Sequence, residues 1–299
     1  MTDATVIFIN GNKQLSESAS SGQGTPDNPY VIDGVEIRHT TSMDNTKLPS
    51  VGIYIMNTDK HAVIKNCKFI GLPKQFVGSK FDYVSVYISN SKNITITDNV
   101  FYGFHTQISA VDVDNVIIAN NLFVDGYVCV ECALAYKQQY NHNIHVVNNI
   151  VYNNFSGISL GKIIHANVSH NVLLRPVEID SHVSYTYAIS ITTCQHVMVA
   201  NNTILGKFDH DLAFDTCQNL IVFRNSLGPN VGEEASMLLN NCYMTSVLHN
   251  LFAVCKGIVD IEAVVNLDFL LNFGAYNGEG LKLPTSLLGF SKFCDNVFV

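Results

Sequence analysis

"HVMVANNTI", His196–Ile204, sets two adjacent asparagines inside an apolar, β-branched run. Asn is a poor strand former, so the pair marks an interruption with a reason. The arrangement recurs: "HAVIKNCKF" (61–69), "NITITDNVF" (93–101), "NVIIANNLF" (115–123), "NIHVVNNIV" (143–151), "HANVSHNVL" (165–173), "NLIVFRNSL" (219–227), "MTSVLHNLF" (244–252) and, more weakly, "NLDFLLNFG" (266–274). Each alternates apolar residues, reaches an Asn and resumes an apolar run. The aligned residues are Asn66, Asn99, Asn121, Asn149, Asn171, Asn202, Asn225, Asn250 and Asn272, between 22 and 33 residues apart. Six residues earlier runs a second polar column, Asn93, Asn115, Asn143, His165, His196, Asn219 and Asn266, with Met244 as the exception. Another short β run precedes that. Each unit therefore reads strand, turn, strand, Asn turn, strand, loop, with almost no helical periodicity.

A shortest repeat of 22 residues holds three short strands and three turns. That is one coil of a parallel β-solenoid, whose coils stack at about 4.8 Å. Leucine-rich repeats of similar length need a fixed Leu pattern, which is missing, and propeller blades are nearly twice as long. Stacking gives the asparagines their reason. Asn tolerates left-handed backbone at a tight corner. Turned inward, its amide bonds the equivalent amide one coil away, and a buried amide needs such a partner.

This repeat resembles the right-handed parallel β-helix of the pectin-lyase-like superfamily, in which an asparagine ladder lies between the second and third strands of each rung. "GQGTPDNPYVIDGVEI" (22–37), followed by "GIYIMNTDKHAVIKNCKF" (52–69), is similar to the entry segment of NosD-type β-helix proteins. The resemblance implies an all-β, single-stranded right-handed solenoid of about nine to ten rungs, and it is weak for function. We expect an entry strand and cap over 1–34, the β-helix over 35–272 and a C-terminal cap over 273–299, since end rungs are open edges. The copper association of NosD-type proteins does not carry over, because no Met- or His-rich tract marks a site.

Of the 299 residues, 47% are hydrophobic and 14% charged, so the chain buries a large core. No apolar run is long enough to span a bilayer. The start, "MTDATVIFIN", lacks a basic segment followed by a long apolar one, so no signal peptide is expected. The net charge of −8 argues against nucleic acid as a partner. The eight scattered cysteines read as reduced thiols of a chain made in a reducing cytoplasm. The Cys129–Cys132 pair has no second pair to complete a zinc site, and neither a metal nor a cofactor is expected.

Two departures from the repeat are candidate sites. Three long spacings place loops on one side: 71–83, 125–136 and 175–187. They carry Tyr83, Tyr127, Tyr136, Tyr185 and Tyr187, with Tyr140 beside them, and also Arg175, Glu178, Asp180 and His182. Per-repeat insertions often form a binding face, and tyrosines stack on sugars or fill protein interfaces. The same loops read equally well as tolerated insertions. The second departure lies on the first strands. Alternation turns Ile53 and Ile55, Val86 and Ile88, Ile189 and Ile191, Leu212 and Phe214, and Val259 and Ile261 inward. It then turns Tyr54, Tyr87, Thr192, Asp211, Asp215, Asn240, Asp260 and Glu262 outward. Asp215 and Glu262, two rungs or about 10 Å apart, approach the spacing of an inverting glycosidase pair. The plainer reading is a solvated acidic row.

A polyuronate lyase needs a base and cations, and no Arg or Lys lies on this face in the later rungs. The paired-aspartate and Gly-His-Gly signatures of the polygalacturonase branch are missing. "KFDHDLAFD" (207–215) reads as a surface turn. Two functions follow. One is a non-enzymatic structural or binding β-helix, such as a virion, spike or surface-fibre component, with protein partners or self-association as a trimer. The other is a carbohydrate-active enzyme, a hydrolase, lyase or epimerase, with Asp211, Asp215, Asp260 and Glu262 as its acids.

Overall fold

The computed structural model describes residues 6–38, 51–71, 83–133, 140–176, 186–275, 281–282 and 292–298. The chain divides into two compact units, Met1–Asn154 and Phe155–Val299. Each is a parallel β-helix in which every rung contributes a first, second and third strand.

In the first unit the first strands stack in the order Ile7–Asn10, Val51–Met56, Val84–Thr97, Thr106–Ala119 and Val128–Ala133. Val84–Thr97 and Thr106–Ala119 run on through the second-strand position without a break. The intervening corner is made by left-handed residues, Asn90 and Asn93 in one and Asp112 and Asn115 in the other, as it is in rungs whose strands are separate, such as that with Thr193 and His196. Third strands stack in a second sheet. Their inward residues Phe69, Phe101 and Phe123 are fully buried and stacked at 4.7 and 4.8 Å. A short helix, Asn12–Ser18, buries only Leu15.

The second unit repeats the plan. Its first strands run from Ser156–Gly161 through Tyr187–Thr192, His210–Asp215, Asn230–Asn240 and Cys255–Ile261 to Leu281–Lys282. The predicted inward pairs of both units are buried, from Ile53 and Ile55 to Val259 and Ile261, none more than 2% exposed.

The two adjacent residues of each corner have different roles, and at 120–121, 148–149 and 201–202 both are Asn. The first takes a positive φ, as at Asn120 (57°), Asn148 (55°) and Asn201 (55°). The second is buried and forms the ladder. Its Oδ1 accepts both the backbone N–H and the Nδ2–H of the ladder residue one rung earlier. Asn202, for example, accepts from Asn171 N and Nδ2, both at 3.0 Å. Its own Nδ2 donates to Asn225 Oδ1 and to Val168 O, each at 2.9 Å. No polar atom of the amide is wasted, which a buried amide requires. The column six residues earlier is also left-handed throughout, Met244 included, so its polar character reflects backbone geometry.

Asn66 corrects the expected ladder. It is exposed, has a φ of 52° and donates to Asp33 Oδ1. Its neighbour Cys67 holds the ladder place, with its N–H on Asn99 Oδ1 at 2.8 Å. The slip arises because the single Asn of this corner comes first, at the left-handed position, with Cys67 second, whereas Asp98–Asn99 and His170–Asn171 have the reverse order. In the second unit the ladder runs past Asn272 to Asn296, whose Oδ1 accepts from Asn272 N at 2.9 Å and Nδ2 at 3.1 Å.

Candidate functional site: the acidic row and its corner

The outward acidic row lies in the second unit. Register places Thr192, Asp215 and Asn240 side by side on successive rungs. Glu262 follows Ile261, which pairs with Leu239, and so continues that column. Asp215 and Asn240 are half-buried and Glu262 is exposed. Asn240 Nδ2 donates to Asp215 Oδ1 at 2.9 Å. Asp260 sits one column away opposite Leu238 and is half-buried. An inverting pair keeps a water between its carboxyl groups, and the Asn240 side chain occupies the place between Asp215 and Glu262.

Asp211 departs from the expected outward row. It is fully buried. Strict alternation fails at the start of the first strand, where the chain enters from the corner and two successive residues face the interior. The equivalent Gly157 shows the direction: a Cβ there would meet Leu173 Cδ2 at 2.6 Å, in the core. Asp211 Oδ2 accepts a hydrogen bond from Ser236 Oγ, while Oδ1 has no hydrogen-bond partner among the described residues. Burial pushes its carboxyl up to about 7, against the opposing effect of the Ser236 bond. An acid so enclosed cannot reach a substrate on the outer face.

"KFDHDLAFD" is not a surface turn either. Phe208 and His210 are buried, and Asp209 is half-buried. Their polar groups diverge. Asp209 Oδ2 accepts from Thr186 N and from Thr186 Oγ1 at 2.9 Å. His210 Nδ1 meets Ala235 O at 2.7 Å, and its ring stacks on Tyr187 at 5.6 Å. Among the described residues, no three or more His, Cys, Asp or Glu are grouped to hold a metal.

Arg175, read from sequence as a loop binding residue, is 3% exposed. Its guanidinium carbon lies 5.1 Å from the Phe155 ring centre and 5.5 Å from that of Phe208. Burial lowers its pKa and the nearby Asp209 charge opposes this. Such a cation between two rings packs the corner and offers nothing to solvent.

Tyr83 and Tyr127 are half-buried and brought into one column. Val84, Thr106 and Val128 are in register, so Tyr83, His105 and Tyr127 precede them on successive rungs. His105 and Tyr127 stack at 4.6 Å. A second aromatic row, on the outward face, joins Phe8, Tyr54 and Tyr87 at 5.2 and 4.9 Å. Sequence reading missed Phe8 and His105. Counting back from the ladder sets His105 beside Tyr83, sixteen residues before Asn121 and Asn99, but leaves out Tyr127, twenty-two before Asn149, and Phe8, whose rung has no aligned Asn. Tyr136, Glu178, Asp180, His182 and Tyr185 lie outside the described residues. Among the described residues, no helix is long and apolar enough to cross a membrane.

A family model described as "Right handed beta helix region" matches residues 22–175. No curated protein matches the chain. Among solved structures, a DFA-IIIase from Arthrobacter chlorophenolicus A6 is similar with a TM-score of 0.61 at 9% identity, covering 91% of this chain and 88% of that one. A GH136 lacto-N-biosidase from Eubacterium ramulus gives 0.60 at 10% identity, covering 98% and 59%. The Dettilon tailspike protein gives 0.58 at 15% identity, covering 90% and 59%. The chain thus spans under two thirds of the last two, and at these identities the likeness is one of fold.

Proposed function

The chain belongs to the right-handed β-helix family, and on that premise we propose that it is a non-enzymatic structural or binding β-helix, of the kind that serves as a spike or fibre component. The observation that carries this reading is the Asn240 side chain, bonded to Asp215 and set between the outward carboxylates. The burial of Asp211 supports it, since this removes one acid from the outer face. What remains outward is suited to contact: the Phe8, Tyr54 and Tyr87 row, and the Tyr83, His105 and Tyr127 column. Aromatic side chains are enriched at protein interfaces and also stack on sugars. We take the partners to be proteins or copies of this chain, with carbohydrate as the other ligand class. A tailspike among the similar folds fits this reading.

A carbohydrate-active enzyme is the second reading. It is favoured by Asp215 and Glu262 sharing one column and by the two glycan-processing enzymes among the similar folds. Product analysis over a panel of polysaccharides separates the two, with Asp215→Asn and Glu262→Gln as controls. The scaffold reading expects no products from any chain. Turnover that disappears in the controls would overturn it. Mass measurement in solution checks the expected self-association.

A further inference from the structure

The outer face of the third strands changes character along the second unit. Register sets Val172, Thr203, Ser226, Leu251, Phe273 and Val297 in one outward column. Thr203 and Ser226 are polar and half-buried. The last three are apolar and between 39% and 52% exposed. The left-handed corner beside this column changes with it. His170, Asn201, Arg224, His249 and Asp295 are polar there, and Leu271, with a φ of 55°, is not. Leu271 is 47% exposed, in a backbone conformation that favours Asn over Leu. An exposed apolar residue standing singly is ordinary. Leu251, Leu271, Phe273 and Val297 instead cluster on three consecutive rungs, and a contiguous apolar patch marks an interaction surface.

The corner column indicates what the patch meets. Arg224, His249, Leu271 and Asp295 lie on consecutive rungs, with Arg224 N–H donating to Leu248 O, His249 N–H to Leu270 O and Leu271 N–H to Cys294 O. Arg224 and Asp295 are both exposed. They stand three rung spacings apart, about 14 Å. Among the described residues neither is in an ion pair. The column thus runs from a cation through Leu271 to an anion. Turned end for end, the surface is complementary to itself.

We propose that this face pairs two copies of the chain, antiparallel, about a two-fold axis lying in the contact plane and crossing the solenoid at right angles. The proposal rests on the scaffold reading and names a second copy as the partner. Such an axis reverses the order of rungs and sets each column against its own counterpart. Arg224 of each copy then faces Asp295 of the other, and Leu251 of each faces Phe273 of the other. The arrangement closes at two copies. A patch of three rungs belongs to the small end of interface sizes, so the pair forms and separates with concentration. The charges lie at its ends, where like-charge contacts exclude wrong registers.

Sedimentation equilibrium of the full chain tests this over a concentration series, with reductant present because Cys294 is an exposed thiol. The expected result is a monomer passing to a dimer. Phe273→Ser, which gives this rung the residue that Ser226 supplies in the same column, should weaken the dimer about tenfold or more. Arg224→Glu and Asp295→Arg should each weaken it by setting like charges opposite. Mixing these two single variants, or combining both substitutions in one chain, pairs opposite charges again and should restore the dimer. The three substituted side chains are exposed, and far-UV spectra check that every variant folds. A monomer at every concentration, a trimer, or a dimer indifferent to the charge exchange overturns this surface and leaves the scaffold reading in place. Turnover on the polysaccharide panel is a separate result, which ends the scaffold reading whatever mass the chain has.

Discussion

Asn240 donates from Nδ2 to Oδ1 of Asp215 at 2.9 Å, from one rung to its neighbour. The bond lets a carboxylate sit half-buried on a sheet face beside a side chain that can only help it. Asn240→Asp would set two carboxylates directly opposite, which destabilises a cross-strand pair by roughly 0.2–1 kcal/mol. The loss should show at pH 7 as a lower denaturant midpoint and fade at low pH, where the carboxyls are neutral. A loss of the same size at both pH values would assign the effect to packing rather than charge.

Asp211 predicts a pH dependence. Its folded carboxyl titrates near 7, above its ordinary value of 3.8. Between those values the folded chain holds a proton that the unfolded chain has released. The associated stability is therefore complete below 3.8, declines as pH rises and is gone above about 7. Asp211→Asn stays neutral throughout and keeps an acceptor for Ser236. Relative to the variant, the native chain should lose stability on going from about pH 4 to about pH 8. Parallel urea-midpoint profiles for the two chains would show that Asp211 does not carry the effect.

Asn201 and Asn202 are adjacent and should respond oppositely. Asn202→Leu removes the acceptor of Asn171 N and Nδ2 and the donor to Val168 O, and leaves Asn225 Oδ1 with the backbone N–H of residue 202, at a cost of about 1–3 kcal/mol for an unsatisfied buried group. Asn201 is exposed with a φ of 55°, so Asn201→Gly should shift the midpoint little. Equal damage from both variants would contradict the division of roles at the corner.

That division explains which features the sequence makes legible. Rung period and ladder can be read because the buried ladder amide recurs from rung to rung, while the left-handed place beside it accepts Asp98, His170, Arg224, His249 and Leu271 as well as Asn. Asn66 misleads because its corner puts its Asn at the left-handed place and Cys67 in the ladder, the reverse of Asp98–Asn99. Asp211 is misplaced by carrying period-two alternation through a corner. Its column, fourteen residues before the ladder, holds Ser85, Gln107, Gly157, Ala188, Asp211, Ser236 and Ile258. Gly157, Ala188 and Ile258 are its mark of an interior position, and the four polar residues beside them obscure that mark. The bond from Asn240 to Asp215 has no such signal, because outward polar residues of every kind satisfy the repeat.

Val254 is where sequence and backbone disagree most. It has a φ of 51°, a conformation that crowds a β-branched side chain. Four residues after their ladder asparagines, equivalent places on other rungs hold Gly103, Asp125, Asn153 and Gly206, all with positive φ. The Val254 N–H is used, donating to Ala275 O at 2.8 Å, so the turn is held by its hydrogen bond against the preference of the residue. The side chain is 46% exposed, and replacing it forfeits little burial. Relief of left-handed strain is worth about 1–2 kcal/mol. Val254→Asn should therefore stabilise the chain by about 1 kcal/mol after the lost contacts are counted. Val254→Gly should gain less, because glycine also loosens the unfolded chain. Urea midpoints for the three chains should rank Asn above Gly above Val. A native valine at the top would mean that its contacts outweigh the strain.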